Sequence, residues 1–101
     1  MIIYNITTQV SWSIEDAWKQ WLITQYLPLY IVTGLFTHYQ VTKLLEVNDD
    51  DGPTYAVQLF AGNISQVNDF RKLYLTQFQE EEKLLWGENA ISFATTMEVI
   101  N

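Results

Sequence analysis

Leu35-Phe36-Thr37-His38-Tyr39-Gln40-Val41-Thr42-Lys43-Leu44-Leu45-Glu46-Val47, then Asn48-Asp49-Asp50-Asp51-Gly52-Pro53, then Thr54-Tyr55-Ala56-Val57-Gln58-Leu59-Phe60-Ala61, reads as strand, turn, strand. β-Branched and aromatic residues fill both flanks, and the residues between them are the types that reverse a chain. A hairpin over 35–61 is therefore expected. The adjacent Leu44 and Leu45 break its alternation as a β-bulge would.

Each side of the hairpin carries one helix and one further strand. Upstream, residues 1–11 alternate, with Ile2, Tyr4, Ile6 and Val10 on one face and Ile3, Asn5, Thr7 and Gln9 on the other. Ser13, with Asp16 three residues on, reads as a helix N-cap. Ile14, Ala17, Trp18, Trp21 and Leu22 keep helical spacing, Pro28 should bend or end the helix, and Gly34 closes the segment. Downstream, Asn63 or Ser65 caps a second helix whose inner stripe is Val67, Phe70, Tyr74, Phe78 and Leu85, ending near Gly87. Residues 90–100 alternate again, with Ile91, Phe93, Thr95, Met97 and Val99 on one face. The order β-α-β-β-α-β predicts an α+β, ferredoxin-like sandwich. A four-stranded antiparallel sheet would carry both helices on one face, in a single domain over 1–101.

Composition narrows the function classes. Cysteine is absent, which excludes disulfides, thiolate zinc sites and a cysteine nucleophile. The formal charge is −7 with five scattered Lys and Arg, so neither nucleic acid nor an anionic membrane surface is an expected partner. Met1-Ile2-Ile3-Tyr4-Asn5 has no basic n-region, and no apolar run reaches the length of about 18 residues that spans a bilayer. A cytoplasmic location is the expectation.

The sheet face away from the helices is expected to carry Ile3, Asn5, Thr7, Ala56, Gln58, Phe60, Ser92, Ala94 and Thr96, with Glu98 as the main charge. A solvated face would alternate Lys and Glu with core residues. The predicted cover is a second copy in a C2 homodimer; the alternative is a monomer with a mildly polar open face. Leu27-Pro28-Leu29-Tyr30-Ile31-Val32 is more apolar than one helix face needs. Ile3, Leu29, Ile31, Phe60 and Ala94 are the candidate interface residues.

Met1–Thr7, Trp18 with Trp21, Pro28 followed by Thr33-Gly34-x-Phe36, Thr54–Gln58, and Phe93-x-Thr95 with Glu98-Val99-Ile100 together resemble a small bacterial family, domain of unknown function forty-two eighty-six. The resemblance runs in order over nearly the whole chain. It implies the dimeric α+β barrel superfamily, in which ferredoxin-like halves pack sheet to sheet, and it implies no activity. The sequence departs from the family pattern where a His two residues before the proline is here Tyr26, and where an Arg after the last strand's Phe is here Ala94. Related barrels include cofactor-independent oxygenases and haem-degrading enzymes. Asn5 fits the latter's first-strand Asn, but residues 65–85 contain no His to hold iron.

The remaining constellations are modest. His38, the only histidine, has no carboxylate partner that sequence can place beside it. Asp49-Asp50-Asp51-Gly52 lacks the spacing of a calcium loop. Glu80-Glu81-Glu82 points three ways around a helix and reads as a solvated face. Trp12, Trp18, Trp21 and Trp86 could stack a planar ligand, but Trp18 and Trp21 at i, i+3 read as core. Asn5, Thr7, Gln58 and Thr96, with Tyr26, are the candidate ligand-binding residues, as polar groups facing a partly apolar enclosure. No catalytic residue, metal or cofactor is assigned. The expected function is a homodimeric binding or accessory domain, with or without a small apolar ligand between sheets and helices. A cofactor-independent, monooxygenase-like enzyme and a protein-interaction module are the alternatives.

Overall fold

Strand β1, Ile2–Val10, follows from the alternation of its first residues: Ile2, Tyr4, Thr8 and Val10 are buried on one face, and only Asn5 is buried on the other. The structure, a computed structural model, describes all of residues 1–101. After a short 3-10 turn come helix α1, Glu15–Trp21, a widened π-helical turn, Leu22–Tyr26, and helix α2, Leu27–Val32. Strands β2, His38–Lys43, and β3, Thr54–Ala61, form the hairpin. Helices α3, Ile64–Leu73, and α4, Leu75–Trp86, lead to β4, Ala90–Glu98. The sheet order is β2-β3-β1-β4, antiparallel throughout. This is the four-stranded, ferredoxin-like arrangement expected, with β1 in the middle although it is first in the chain. No helix is long and apolar enough to cross a membrane.

The core lies between this sheet and the helices. Trp18, Leu22, Tyr26, Leu27 and Tyr30 from the first helical segment, and Val67, Phe70 and Phe78 from the second, meet Tyr4, Tyr55, Val57 and Leu59 of the sheet. Phe70 is central: its ring lies 5.1–5.7 Å from those of Tyr4, Tyr30, Phe36 and Phe78. The Tyr55 hydroxyl donates to Glu15 Oε2 at 2.7 Å and ties α1 to β3.

Pro28 does not end the first helix. It sits in the first turn of α2, where its missing N–H costs least, and the turn before it widens to accommodate the ring. Ser13 caps nothing: it lies inside the 3-10 turn, and α1 starts without a side-chain cap. Asn63 does cap, accepting from the Gln66 N–H while Gln66 Oε1 accepts from the Asn63 N–H, a complete capping box. The inner stripe of the second segment departs from the expected one. The backbone breaks at Tyr74 (φ −129°), and beyond Phe78 the inward positions are Glu82 and Trp86, leaving Leu85 58% exposed.

The hairpin is shorter than 35–61 suggests. His38–Lys43 use up the β3 partners from Phe60 to Tyr55, and Leu44 makes one last bond to the Thr54 carbonyl. The chain then leaves the sheet, with Glu46 at φ 59°, so Leu44 and Leu45 form no bulge. On the other side Phe36 turns into the core instead of pairing. The loop returns over the end of β1: Val10 N–H donates to the Pro53 carbonyl at 3.0 Å, and Trp12 Nε1 donates to the Asp49 carbonyl at 2.9 Å.

The largest correction concerns β4. Tyr4 faces Thr96 across the ladder, Ile6 faces Ala94 and Thr8 faces Ser92. Residues directly opposite share a face. Ser92, Ala94 and Thr96 are therefore on the helix side, and Ile91, Phe93, Thr95 and Met97 join Ile3, Asn5 and Thr7 on the open side. A one-residue difference in phase exchanges every side chain of a strand between faces. Hydrophobicity had put Ile91 and Phe93 under the helices, but there Arg71 of α3 donates to Thr96, and Ser92 donates to Glu82 of α4. Polar groups on the helices select the polar face of β4.

Gly52 shows how tightly the hairpin loop is seated. It has φ 147°, and a Cβ there would fall 1.7 Å from the Val10 carbonyl oxygen. Gly52→Ala should lower the unfolding free energy by at least about 2 kcal/mol, read from urea melts. A change within about 0.5 kcal/mol would mean that this loop does not hold the end of β1.

Candidate functional site

Helical geometry brings Glu82 into the structure. It lies four residues after the buried Phe78, and residues four apart stack on one helix face. Its neighbours Glu80 and Glu81 turn to solvent, whereas Glu82 is half-buried between α4, the tyrosines of the first helical segment and strand β4.

Two hydroxyl chains converge on its carboxylate. From the helical side, the Tyr30 hydroxyl donates to the Tyr26 hydroxyl at 3.0 Å, and Tyr26 donates to Glu82 Oε2 at 3.2 Å. From the sheet side, Ser92 Oγ lies 2.7 Å from Thr8 Oγ1 and donates to Glu82 Oε1 at 3.4 Å. With Thr8 donating to Ser92, every proton points towards Glu82. The widened turn at Leu22–Tyr26 leads into α2, where Tyr26 and Tyr30 sit four residues apart with their rings edge to face at 5.1 Å.

Burial raises the Glu82 carboxyl above the ordinary range of its kind; the hydrogen bonds from Tyr26 and Ser92 pull the other way without cancelling it. Tyr26 and Tyr30 are raised as well, both first by burial and then, for Tyr26, by the Glu82 charge and, for Tyr30, by Tyr26, so both stay neutral donors. A cavity of about 60 Å³ opens against this cluster, lined by Tyr4, Ile6, Leu75, Gln79, Phe93 and Ala94 together with Tyr26, Tyr30, Glu82 and Ser92. It shares Gln79, Glu82 and Ser92 with a wider groove of about 390 Å³ between the end of α4 and β4. The result is an apolar slot with one perturbed carboxyl at its wall. Such a group can accept a proton from a bound hydroxyl or return one to it.

The residues singled out from sequence are divided by the sheet. Tyr26 belongs to the slot. Ala94 lines it too. Thr96 is on the same side of the sheet, bound to Arg71. Asn5, Thr7 and Gln58 are on the opposite, helix-free face, where Asn5 Nδ2 donates to Thr7 Oγ1 at 3.1 Å and Gln58 faces Asn5 across the ladder. These residues do not form one pocket. The candidate interface divides likewise: Ile3 and Phe60 are on the open face, Ala94 on the helix side, and Leu29 and Ile31 in the helical layer. His38 stacks on Phe60 with ring centres 4.2 Å apart, and Thr37 Oγ1 lies 2.8 Å from its Nδ1. Trp18 is buried core and Trp21 and Trp86 pack on that core, while Trp12 is half exposed.

Sequence reasoning missed Glu82, Ser92 and Arg71. The signal for Glu82 was the helical step from Phe78, obscured by its two acidic neighbours.

Because its folded-state value is raised, Glu82 stabilises the fold most below the ordinary value of 4.5, and that contribution is lost as pH rises through the raised value. Glu82→Gln removes the titration. The stability of wild type relative to Glu82→Gln should therefore fall from pH 4.5 towards neutrality in urea melts at stepped pH. A flat difference would place the carboxyl in water, and a rise with pH would mean that its hydrogen bonds outweigh its burial. Tyr26→Phe should cost about 1–3 kcal/mol, because it leaves the Tyr30 hydroxyl without its acceptor and Glu82 Oε2 without its donor.

Comparison with other proteins bears on the fold and not on the site. An ethyl tert-butyl ether degradation (EthD) family protein from Bacillus halodurans superposes with a TM-score of 0.66 at 11% identity, over 99% of this chain and 100% of that one. A protein from Deinococcus radiodurans, described from its assignment as an antibiotic biosynthesis monooxygenase, gives 0.66 at 18% identity, over 100% of this chain and 94% of that one. At such identities the likeness establishes a shared ferredoxin-like α+β fold. No curated protein matches the sequence. The family described as Domain of unknown function (DUF4286) matches residues 1–100, and the chain belongs to it.

Proposed function

We propose that this chain is a homodimeric small-molecule-binding domain, paired through its open sheet faces and holding its ligand in the slot between α4 and β4. The observation that carries the reading is the phase of β4. An edge strand with a choice of two faces puts Ile91 and Phe93, each 65% exposed, on the side without helices, and puts Ser92 and Thr96 under them. Beside Ile91 and Phe93 stand Met97, Ile3 and Phe60, with Asn5, Thr7, Gln58, Gln40 and Thr95 between them and no formal charge. Four strands about 4.8 Å apart, β2 about 20 Å long and the others about 27–30 Å, give a projected face of roughly 500 Å², against about 800 Å² per partner in a standard interface. Asn5, Thr7 and Gln58 then become hydrogen-bonding groups of the interface and not of the ligand site.

In this reading residues 1–101 are one domain. β1 lies between β3 and β4, so no cut leaves two units that each keep a sheet.

A second reading, a cofactor-independent enzyme acting on a small organic substrate in the same slot, is favoured by Glu82 itself. A half-buried carboxyl fed by two hydroxyl chains suits proton transfer better than binding requires. The monooxygenase description of one structural neighbour is in keeping with it.

Sedimentation equilibrium should give twice the 11.8 kDa chain mass. Phe93→Lys should raise the dimer dissociation constant at least about thirtyfold, about 2 kcal/mol, with an unchanged circular dichroism spectrum. A monomer at low micromolar concentration removes the dimer. A compound retained in the native mass spectrum should raise the unfolding free energy by about 2.7 kcal/mol at 100 times its Kd. Turnover of that compound, lost in Glu82→Gln, would select the enzyme reading over the binding one.

A further inference from the structure

Strand β4 is paired on one side only, and its residues match β1 one for one without a bulge. Val99 N–H donates to the Met1 carbonyl and Ser11 N–H to the Asn89 carbonyl. By the alternation of an antiparallel ladder, Ile91, Phe93, Thr95 and Met97 then bond to β1, and the backbone groups of Ala90, Ser92, Ala94 and Thr96 point out from the free edge. Folded proteins blunt such edges with lysine, proline, bulges or short length. The other edge strand, β2, stops after six residues and ends on Lys43. β4 uses none of these devices. From Ala90 to Met97 it carries no charge and no proline, and residues 91–95 are all exposed, Ser92 and Ala94 on the helix side included.

Beside this edge runs the groove of about 390 Å³, whose walls include Glu82 and Lys83 of α4, Glu88 of the turn after it, and Ile91 and Ser92 of β4. Ile91 faces the open side of the sheet and Ser92 the helices, so a groove that touches both lies along the strand's edge. Edge and groove form one trough between a helix and a strand, the setting in which an extended peptide adds to a sheet.

We propose that this trough docks an extended segment of a partner protein, which adds to β4 as a fifth strand with a Lys or Arg side chain in the groove and an apolar side chain beside Ile91 and Phe93. The proposal goes beyond the ligand-slot reading and needs no ligand in the smaller cavity. Residues 90–96 offer about 23 Å of edge, enough for a segment of about seven residues. Residues of the incoming strand opposite Ser92 and Ala94 share their face and turn towards α4. There Glu82 and Glu88 face a single cation, Lys83, on a chain of charge −7, so the complementary side chain is basic. The residues between them turn to the open side, where Ile91 and Phe93 are each 65% exposed. A second copy's β4 is a poorer occupant: its Ser92 and Ala94 bring no cation to the groove, and its own Glu82 and Glu88 come with them.

The test uses a labelled seven-residue peptide alternating valine with lysine, its valine–glutamate counterpart, and the first peptide N-methylated at its lysines, whose N–H groups would face β4. Fluorescence anisotropy on the wild-type protein should give a Kd below about 1 mM for the valine–lysine peptide, weakening with added salt, and binding at least about tenfold weaker for the other two. Bound peptide should slow hydrogen exchange at the Ser92 and Ala94 amides and leave Ile91 and Phe93 unchanged. Ala94→Pro removes an N–H that points away from β1, so it should abolish binding with an unchanged circular dichroism spectrum. The N-methylated peptide makes the same test without altering the protein. Equal affinity for the methylated peptide would overturn strand addition, and equal affinity for the glutamate peptide would overturn the basic partner. Ser92 and Ala94 amides already protected in the free protein, increasingly so with its concentration, would give the edge to a second copy and overturn the proposal. No binding of the valine–lysine peptide at millimolar concentration would overturn it as well, with the ligand slot untouched.

Discussion

The pairing of β1 with β4 fixes what each side of the molecule can be. β1 is the only strand whose neighbours come from both the hairpin and the C-terminal segment. Tyr4 opposite Thr96 and Thr8 opposite Ser92 put a row of small polar side chains under the helices. With Tyr4 and Thr96 in that register, Arg71 has a sheet partner; with Thr8 and Ser92, so has Glu82. Shifted by one residue, Ile91 or Phe93 would face Glu82, Thr95 or Met97 would face Arg71, and the open face would gain three polar groups. The half-buried Glu82 would then face an apolar side chain without its Ser92 donor, which costs more than the apolar area gained.

The aromatic core makes this register affordable. Phe70, Tyr30, Phe36, Phe78 and Tyr4 form one set of contacting rings, so much of the apolar burial is complete without β4. Relieved of that task, the edge strand can turn a mixed face to the helices, leaving a slot where a fully packed layer would leave none. The break at Tyr74 belongs to the same arrangement. It lets α3 deliver Arg71 to Thr96 and α4 deliver Glu82 to Ser92, two inward rungs with Ala94 between them, while Phe70 and Phe78 stay buried on either side of the break.

Element order, the split of β1 into two faces, the extent of β3 and the Asn63 cap were all legible in the residues, because each rests on local periodicity or on a single side chain's hydrogen bonds. The phase of β4 was not. Its alternation was plain, but alternation gives two sets without saying which is inside. The choice was made by Arg71 and Glu82, about 10–25 residues away in sequence. Glu82 was hidden for a related reason: in a run of three glutamates composition suggests solvent, and only the 3.6-residue period counted from Phe78 distinguishes it. Ser13 and the Leu44-Leu45 pair failed differently. Each matched a local pattern that the chain had no need to use once the 3-10 turn and the short hairpin were set.

One strand therefore carries both halves of the proposed function. Ile91, Phe93 and Met97 present β4 to a second copy; Ser92, Ala94 and Thr96 present it to a ligand. As an edge strand β4 has a ladder on one side only, and an edge with free N–H and C=O groups is the least constrained part of a sheet. Packing its apolar face against another sheet would limit its motion, and with it that of Phe93 at the edge of the slot. The Ser92 and Thr96 oxygens would then hold their spacing more closely. In such a dimer, ligand affinity and dimer affinity are linked through the rigidity of a shared strand and through Phe93, which borders both sites.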